Sequence, residues 1–289
     1  MQPGQSTPRS ALITGGSQGL GLAFAHCCAR RGVDLMLVAL PDSGLDEAAQ
    51  MLRATYGVRC EVLAQDLALP GGPEAAAHWV ADLGWSLAYL INNAGVSYNS
   101  RFEDSTLAEN EAVILLNNLA TVKLTHLLLP ELRKRERAYV LNVASLAAFF
   151  PMPFMPVYAP SKAFLLGFSL ALRQEMRDTP VSVSVLCPNG LRTRPDCRDK
   201  IEQHGAIGRL FCMDAAPAAE YAVRRTLSGE AIIVPGLLNR GLAALSRLVP
   251  RTSILAVVSA FWGKTAQRPG VAHGKTASVV SLPRPAGRS

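Results

Sequence analysis

No uninterrupted apolar run in the 289 residues approaches the roughly 20 that cross a bilayer. The longest near the C-terminal end, over 254–262, is far shorter and is broken by Ser259. The opening residues, MQPGQSTPRS, lack the apolar centre of a secretory signal, so export is not expected and a cytoplasmic location is. Six cysteines (Cys27, Cys28, Cys60, Cys187, Cys197, Cys212) form no C-x-x-C pair and no ordered framework; they read as reduced thiols. No ligand-spaced cluster of His, Cys, Asp or Glu is read either, so no metal is expected. Collagen, coiled coil, disulfide scaffold and membrane channel are thereby set aside. What remains, with 49% hydrophobic and 18% charged residues, can bury a sizeable core.

Acidic residues are missing from the C-terminal fifth. Residues 231–289 hold eight Lys and Arg and no Asp or Glu, leaving 21 basic against 22 acidic residues in 1–230. The net charge of +7 therefore belongs to the tail and not to the body. A basic face on the main domain, and with it nucleic-acid binding, is not expected.

The first 190 residues alternate short β-favouring runs with longer helical patterns. Strands are predicted over 11–14, 33–39, 59–64, 87–91, 139–144 and 181–187, with a seventh over 232–234. Helices are predicted over 19–31, 45–56, 74–83, 109–135 and 158–177. Such alternation means βαβ units and an α/β fold with a doubly wound, Rossmann-type parallel sheet. No internal repeat or linker divides 8–235, so residues 1–235 are expected to form one domain. Residues 236–265 read as a helical extension, with an amphipathic helix over 237–249 stopped by Pro250, and residues 266–289 as a disordered basic tail.

Directly after the first strand stands Thr14-Gly15-Gly16-Ser17-Gln18-Gly19-Leu20-Gly21, opening a helix. Glycines at 15, 19 and 21 permit a sharp turn that brings backbone N–H groups to a pyrophosphate at the helix N-terminus. A glycine pattern alone can be a structural turn; its place between the first strand and a helix favours a nucleotide site. At this point the chain resembles the short-chain dehydrogenase/reductase family, and further motifs come in order. They are Asp66 after the third strand, Asn92-Asn93-Ala94-Gly95 after the fourth, Asn117 on the next long helix, Ser145 ending the fifth strand, Tyr158-x-x-x-Lys162, and a looser match from Pro188 to Thr193. The resemblance covers about residues 8–235 and is closest to the reductase-like branch of ketosteroid and 3-ketoacyl reductases. It implies cofactor contacts at Gly15, Ser17, Gln18, Gly19, Leu20, Gly21, Asp66 (beside the adenine), Leu67, Asn93, Ala94, Gly95, Tyr158, Lys162, Leu191 and Thr193. Asn189 departs from the family's glycine after Pro188, which unsettles the placing of Leu191 and Thr193.

Tyr158 and Lys162 are i and i+4 on a helix and share one face. An ammonium close to a phenol favours the phenolate, so Lys162 is expected to lower the Tyr158 pKa into a range useful for acid–base work on a carbonyl or alcohol. Ser145, at the C-terminal edge of a central strand, can donate to an oxygen as charge develops there. For each residue a bland role exists: a packed tyrosine with a neighbouring lysine, a turn serine, a polar helix asparagine. The resemblance implies that Asn117, rather than its neighbour Asn118, holds a water in a proton relay to Lys162, and that Lys162 also binds the nicotinamide ribose. The expected activity is NAD(P)(H)-dependent interconversion of a carbonyl and an alcohol. The alternative is a catalytically idle NAD(P)-binding regulator on the same fold.

After the second strand, Ala39 stands where an acid would select NAD and Leu40 where an arginine would select NADP, with Asp42 a little later. The reading leans to NADP(H) over NAD(H) on the branch resemblance. Phe149, Phe150, Met152, Phe154 and Met155 come after Ser145 and suggest a small hydrophobic carbonyl or alcohol substrate, with packing as the equal alternative. Residues 194–214 are the expected lid. For the helix over 237–249, packing beside the pocket or across a dimer is favoured over a peripheral place on an anionic membrane surface. A homodimer or homotetramer is implied by the resemblance alone.

Overall fold

The structure, a computed structural model, describes residues 9–192 and 213–246, together with positions 249 and 255. Seven strands form one parallel sheet. They are β1 (Ser10–Thr14), β2 (Asp34–Ala39), β3 (Cys60–Ala64), β4 (Leu87–Asn92), β5 (Ala138–Val143), β6 (Val181–Leu186) and, after the short pair β7 (Leu191–Arg192) and β8 (Met213–Asp214), β9 (Ile232–Ile233). The order is β3-β2-β1-β4-β5-β6-β9, every neighbour parallel. All residues of β1 and β4 are buried, as a strand covered on both faces requires, which is why these strands read as continuous apolar runs.

Helices α1 (Gly19–Ala29), α2 (Leu45–Tyr56) and α7 (Ala215–Leu227) cover one face, meeting it through Phe24, Leu52 and Val223. Helix α3 (Gly72–Leu83) and α5 (Thr121–Arg133) cover the other through Val80, Leu124, Leu128 and Leu132. Chain direction across the sheet reverses between β1 and β4, the switch point at which open α/β sheets place ligands beyond the carboxyl ends of their strands.

The long helix predicted over 109–135 begins at Leu107, because Thr106 and Glu109 form a reciprocal capping box (Glu109 N–H to Thr106 Oγ1 3.2 Å; Thr106 N–H to Glu109 Oε2 2.9 Å). It also changes pitch. Helix α4 (Leu107–Ala112) passes into a π-helical segment, Val113–Ala120, before α5 resumes. Such segments cluster at functional sites. The continuous helix of 27 residues, Leu107–Arg133, is long and apolar enough by length and composition to cross a membrane, which the count of uninterrupted apolar residues missed. Here it packs on the sheet and buries Asn117, Asn118, Thr121 and Thr125 in hydrogen bonds, as a core helix does.

Beyond β9, α8 (Leu237–Leu245) realises the first nine residues of the amphipathic pattern; residues 247 and 248 lie outside the described residues. So do most of the expected lid, the tail, Cys197, Cys212 and Thr193. The other four cysteines are free and buried.

Candidate active site

The glycine loop is locked by the segment that leaves β4. Thr14 Oγ1 accepts from the backbone N–H of both Asn93 and Ala94 (2.9 Å each), and Asn93 Nδ2 donates to Thr14 O (2.9 Å). Gly15 and Gly19 adopt φ of +66° and +59°, a region open to glycine at little cost. Gly21 serves packing: a Cβ there would stand 1.9 Å from Gly15 O and 2.7 Å from Asn93 Nδ2. Three of the sequence-selected glycines thus fix the backbone at the N-terminus of α1 without filling the space before it.

That space is a cleft of about 780 Å³. Ten of the residues selected from the sequence line it: Gly15, Ser17, Gln18, Gly19, Leu20, Asp66, Leu67, Asn93, Ala94 and Gly95. The residues present fit a dinucleotide. The helix N-terminus offers backbone donors for a pyrophosphate. Asp66 accepts from Ala68 N–H through Oδ1 (2.8 Å), while its Oδ2 is buried with no hydrogen-bond partner, an acceptor awaiting an amino group. Among the described residues lining the cleft the charged side chains are Asp42, Asp66, Glu109 and Glu111, and none is Lys or Arg.

Gly95, in the cleft lining, also meets a second cluster. A Cβ on Gly95 would meet Asn117 Oδ1 at 2.9 Å and Lys162 Nζ at 3.3 Å, so both side chains converge on this residue. Asn117, fully buried within the π-helical segment, clasps the chain after β4: its Oδ1 accepts from Val96 N–H (2.9 Å) and its Nδ2 donates to Val96 O and Ser161 Oγ (3.1 Å each). Asn118 instead donates to Ser161 O (2.8 Å). The side chain of Asn117 is therefore spent on positioning, and any relay through this residue would run through its backbone carbonyl, which accepts from Thr121 Oγ1 (2.9 Å).

Tyr158 opens α6 (Tyr158–Glu175), and Lys162 lies one turn on. Ser145 caps the 3₁₀ turn Leu146–Phe149, its Oγ accepting from Ala147 N–H (3.1 Å), and its hydroxyl hydrogen-bonds to Tyr158. Lys162 Nζ sits 5.7 Å from the Tyr158 ring centre and donates to Val143 O (3.0 Å). The expectation that Lys162 lowers the Tyr158 pKa is not met. Burial holds the phenol above its ordinary value, and only the Ser145 hydrogen bond pulls it back. Burial instead pushes Lys162 down to about 8, partly offset by the Cys187 thiol alongside it. Lys162 is 4% exposed, with the Val143 carbonyl as the acceptor for its ammonium.

Leu191 lies in the two-residue ladder with Met213, half-buried against the α1 side of the sheet and apart from the cleft lining. Sequence reasoning missed three groups that build the site. Thr14 reads only as the start of a motif, yet its hydroxyl joins the two loops. Val143 contributes a carbonyl, for which no side-chain signal exists. Ser161, common before the lysine in the family, bridges both asparagines and donates to Tyr158 O (2.7 Å).

The sequence model of the short chain dehydrogenase family matches residues 9–203. The chain belongs to that family. It is 34% identical over 182 residues to the ketoacyl reductase HetN of Nostoc sp., covering 63% of each chain. Against the very-long-chain 3-oxoacyl-CoA reductase of Pyrenophora tritici-repentis it is 36% identical over 181 residues, 61% of this chain and 52% of the relative. The matches thus span about half to two thirds of the length of these relatives. Among solved structures, a short-chain dehydrogenase from Sphingobium yanoikuyae in complex with NADPH superimposes with a TM-score of 0.71 at 28% identity, covering 93% of this chain and all of that one. A 7β-hydroxysteroid dehydrogenase shares the fold with a TM-score of 0.77 at 22% identity.

Proposed function

We propose that this chain is an NAD(P)(H)-dependent reductase of a ketoacyl-like or other hydrophobic carbonyl compound, with Tyr158 as the acid–base group. The observation that carries this reading is that Asn117 and Lys162 converge on Gly95, a residue of the cleft lining, with Tyr158 one helical turn before Lys162 and beside Ser145.

When bound, the nicotinamide supplies the hydride for reduction or accepts it in oxidation. The residues of the chain do the rest. The glycine loop would hold the pyrophosphate and Asp66 the adenine of the cofactor. Tyr158, protonated at neutral pH and kept so by burial, delivers its proton to the substrate oxygen. Ser145, already bonded to that phenol, donates to the same oxygen as negative charge develops. Lys162, held by Val143 O, places a positive charge beside the phenol as it becomes phenolate, and Asn117 fixes the loop that bounds the site through Val96. For Thr193 and Leu191 a cofactor contact rests on the family resemblance alone, and Leu191 stands apart from the cleft lining.

Hydrophobic substrate preference rests on the segment after Ser145. Phe149 and Phe150 pack in an edge-on pair against the apolar cluster of Leu146, Leu165 and Val185. Phe154 adopts φ +65°, a strained angle for a side chain of this kind, and its carbonyl accepts from Ser100 N–H (3.0 Å), tying the wall to the loop after β4. NADP(H) is the preferred cofactor in this reading because the Sphingobium relative binds NADPH. No Lys or Arg among the described cleft residues stands ready for a 2′-phosphate, and the Ser43 hydroxyl already donates to Leu40 O (2.6 Å). A homo-oligomeric, cytoplasmic enzyme completes the proposal. Oxidation of NADPH and NADH followed across ketones and ketoacyl thioesters of graded chain length tests it. Turnover rising with chain length is expected; turnover of small polar ketones alone, or of none, would overturn it.

A further inference from the structure

We infer that Asn189 and Asn239 are positioning residues for the reaction: their side-chain pair fixes the end of β6 and, through it, the turn that presents Ser145 to Tyr158. The inference rests on the reading that Ser145 acts on the substrate oxygen. The residues that leave β6 and those that leave β5 meet in close order. The Cys187 thiol meets the backbone N–H of Ser145, Pro188 O accepts from Leu146 N–H (2.7 Å), and Asn189 follows. Cys187 and Pro188 thus hold the two residues at which the 3₁₀ turn begins. Where Ser145 stands depends on what holds this strand end.

Asn189 supplies the hold. Its φ lies outside the left-handed region, which among the described residues only Asp42 and Phe154 enter without being glycine. The backbone therefore does not require the glycine that the family carries here, and a glycine could make neither of the side-chain contacts. Asn189 Oδ1 accepts from Gly190 N–H (2.9 Å), and its Nδ2 donates to Asn239 Oδ1 (3.0 Å). Asn239 in turn donates through Nδ2 to Pro235 O (2.9 Å). The two ends of this chain act in one sense only, Pro235 O as acceptor and Gly190 N–H as donor. The orientation of each amide is thereby settled, and reversing either one breaks the chain. Asn239 is 5% exposed, so leaving one of its amide atoms unpaired is costly.

The pair draws its rigidity from α8. Arg240, the next residue, donates through Nε to Val234 O (3.1 Å) and engages Tyr221 on α7. Ala243, one turn after Asn239, is buried in the apolar cluster with Leu146, Val185 and Cys187. Helix α8 therefore packs on the Ser145 turn and also ties down the strand end that holds it. The Ser145 hydroxyl itself bonds to Ala147 N–H within the turn (3.1 Å) and to Tyr158, so the place of the turn in the fold comes from these neighbours. A donor in a reacting site has to be held within a fraction of an ångström, and a shift of about 1 Å can cost about a hundredfold in rate.

Two variants of the full-length protein test the inference. Asn189→Gly removes both contacts at a half-buried position, and Asn239→Leu removes the partner. Amide hydrogen exchange over residues 144–150, read by mass spectrometry, is expected to speed up by about tenfold or more in either variant, with peptides from β1 and β4 unchanged. With the fastest ketone of the graded panel, Asn189→Gly is expected to lower kcat by about tenfold while KM and dinucleotide affinity stay within about twofold. Made on a Ser145→Ala background, the same substitution is expected to change kcat by less than about twofold, because the group it positions is gone. Unchanged exchange over 144–150, unchanged kcat, or an equal loss in both backgrounds would overturn the inference; the last is what a general loosening of the fold gives. Full turnover by Ser145→Ala alone would overturn the reading of Ser145 and this inference with it. An impaired Ser145→Ala beside a fully active Asn189→Gly strikes the positioning role alone.

Discussion

Replacing Lys162 by Met is expected to make the ligand-free protein more stable while removing its turnover. Lys162 is 4% exposed, the Val143 carbonyl accepts from its ammonium, and its pKa falls from 10.5 to about 8. A base whose pKa drops on folding carries fewer protons folded than unfolded between those two values. Its charge therefore costs stability in full below about pH 8, and the cost fades as pH rises to about 10.5. At 1.36 kcal/mol per pKa unit the cost at pH 7 is on the order of 3 kcal/mol. Methionine fills a similar volume without a charge but leaves the Val143 carbonyl without its donor, which costs about 1–3 kcal/mol. A net gain of about 1 kcal/mol results, or a melting temperature higher by about 2–4 °C for a domain of this size. The raised thiols of Cys27, Cys28 and Cys60 titrate in parent and variant alike and cancel from the difference. Thermal denaturation at pH 7 and pH 10, followed by circular dichroism, reads both numbers. The variant should lead at pH 7 and lose that lead at pH 10. A variant less stable at pH 7, or a lead independent of pH, would refute the reasoning that this lysine is kept at the expense of stability.

The cleft geometry leads to two further outcomes. Gly21→Ala puts a methyl group 1.9 Å from Gly15 O, so the loop must move; dinucleotide affinity measured by calorimetry should fall by more than tenfold, with a lowered melting temperature. Leu40→Arg supplies the cation that the cleft lining lacks and should favour NADPH over NADH by about tenfold relative to the parent, since one charge-assisted contact is worth about 1.5–3 kcal/mol. Unchanged selectivity would show that the 2′-position lies elsewhere.

The strands were legible because a parallel sheet buried on both faces leaves few polar residues to blur its runs: each predicted strand lies within one residue of its observed bounds. The glycine loop was legible for a related reason, since Gly15 and Gly19 hold a backbone geometry that few other residues can adopt, whereas Asn93 was legible only through the family resemblance. The helix over 72–73 was not. The predicted helix begins at 74, two residues late, although Pro in the first turn of a helix is well placed and Gly71, at φ +80°, makes the entry. Nothing in the sequence signals the change to π pitch at Val113, because no glycine or proline causes it. The pKa expectation failed for a different reason. Spacing brought Tyr158 and Lys162 to one helix face, but burial depends on what surrounds them, and it raised the phenol and lowered the amine together.

The central claim is that Tyr158 carries the proton, and Tyr158→Phe tests it most directly. Removing only the hydroxyl should leave dinucleotide affinity within twofold of the parent by calorimetry. Steady-state oxidation of NADPH with the best ketone substrate should fall by about 10²–10⁴-fold, the usual worth of a positioned acid. Turnover within a few-fold of the parent, with the same affinity, would contradict the account.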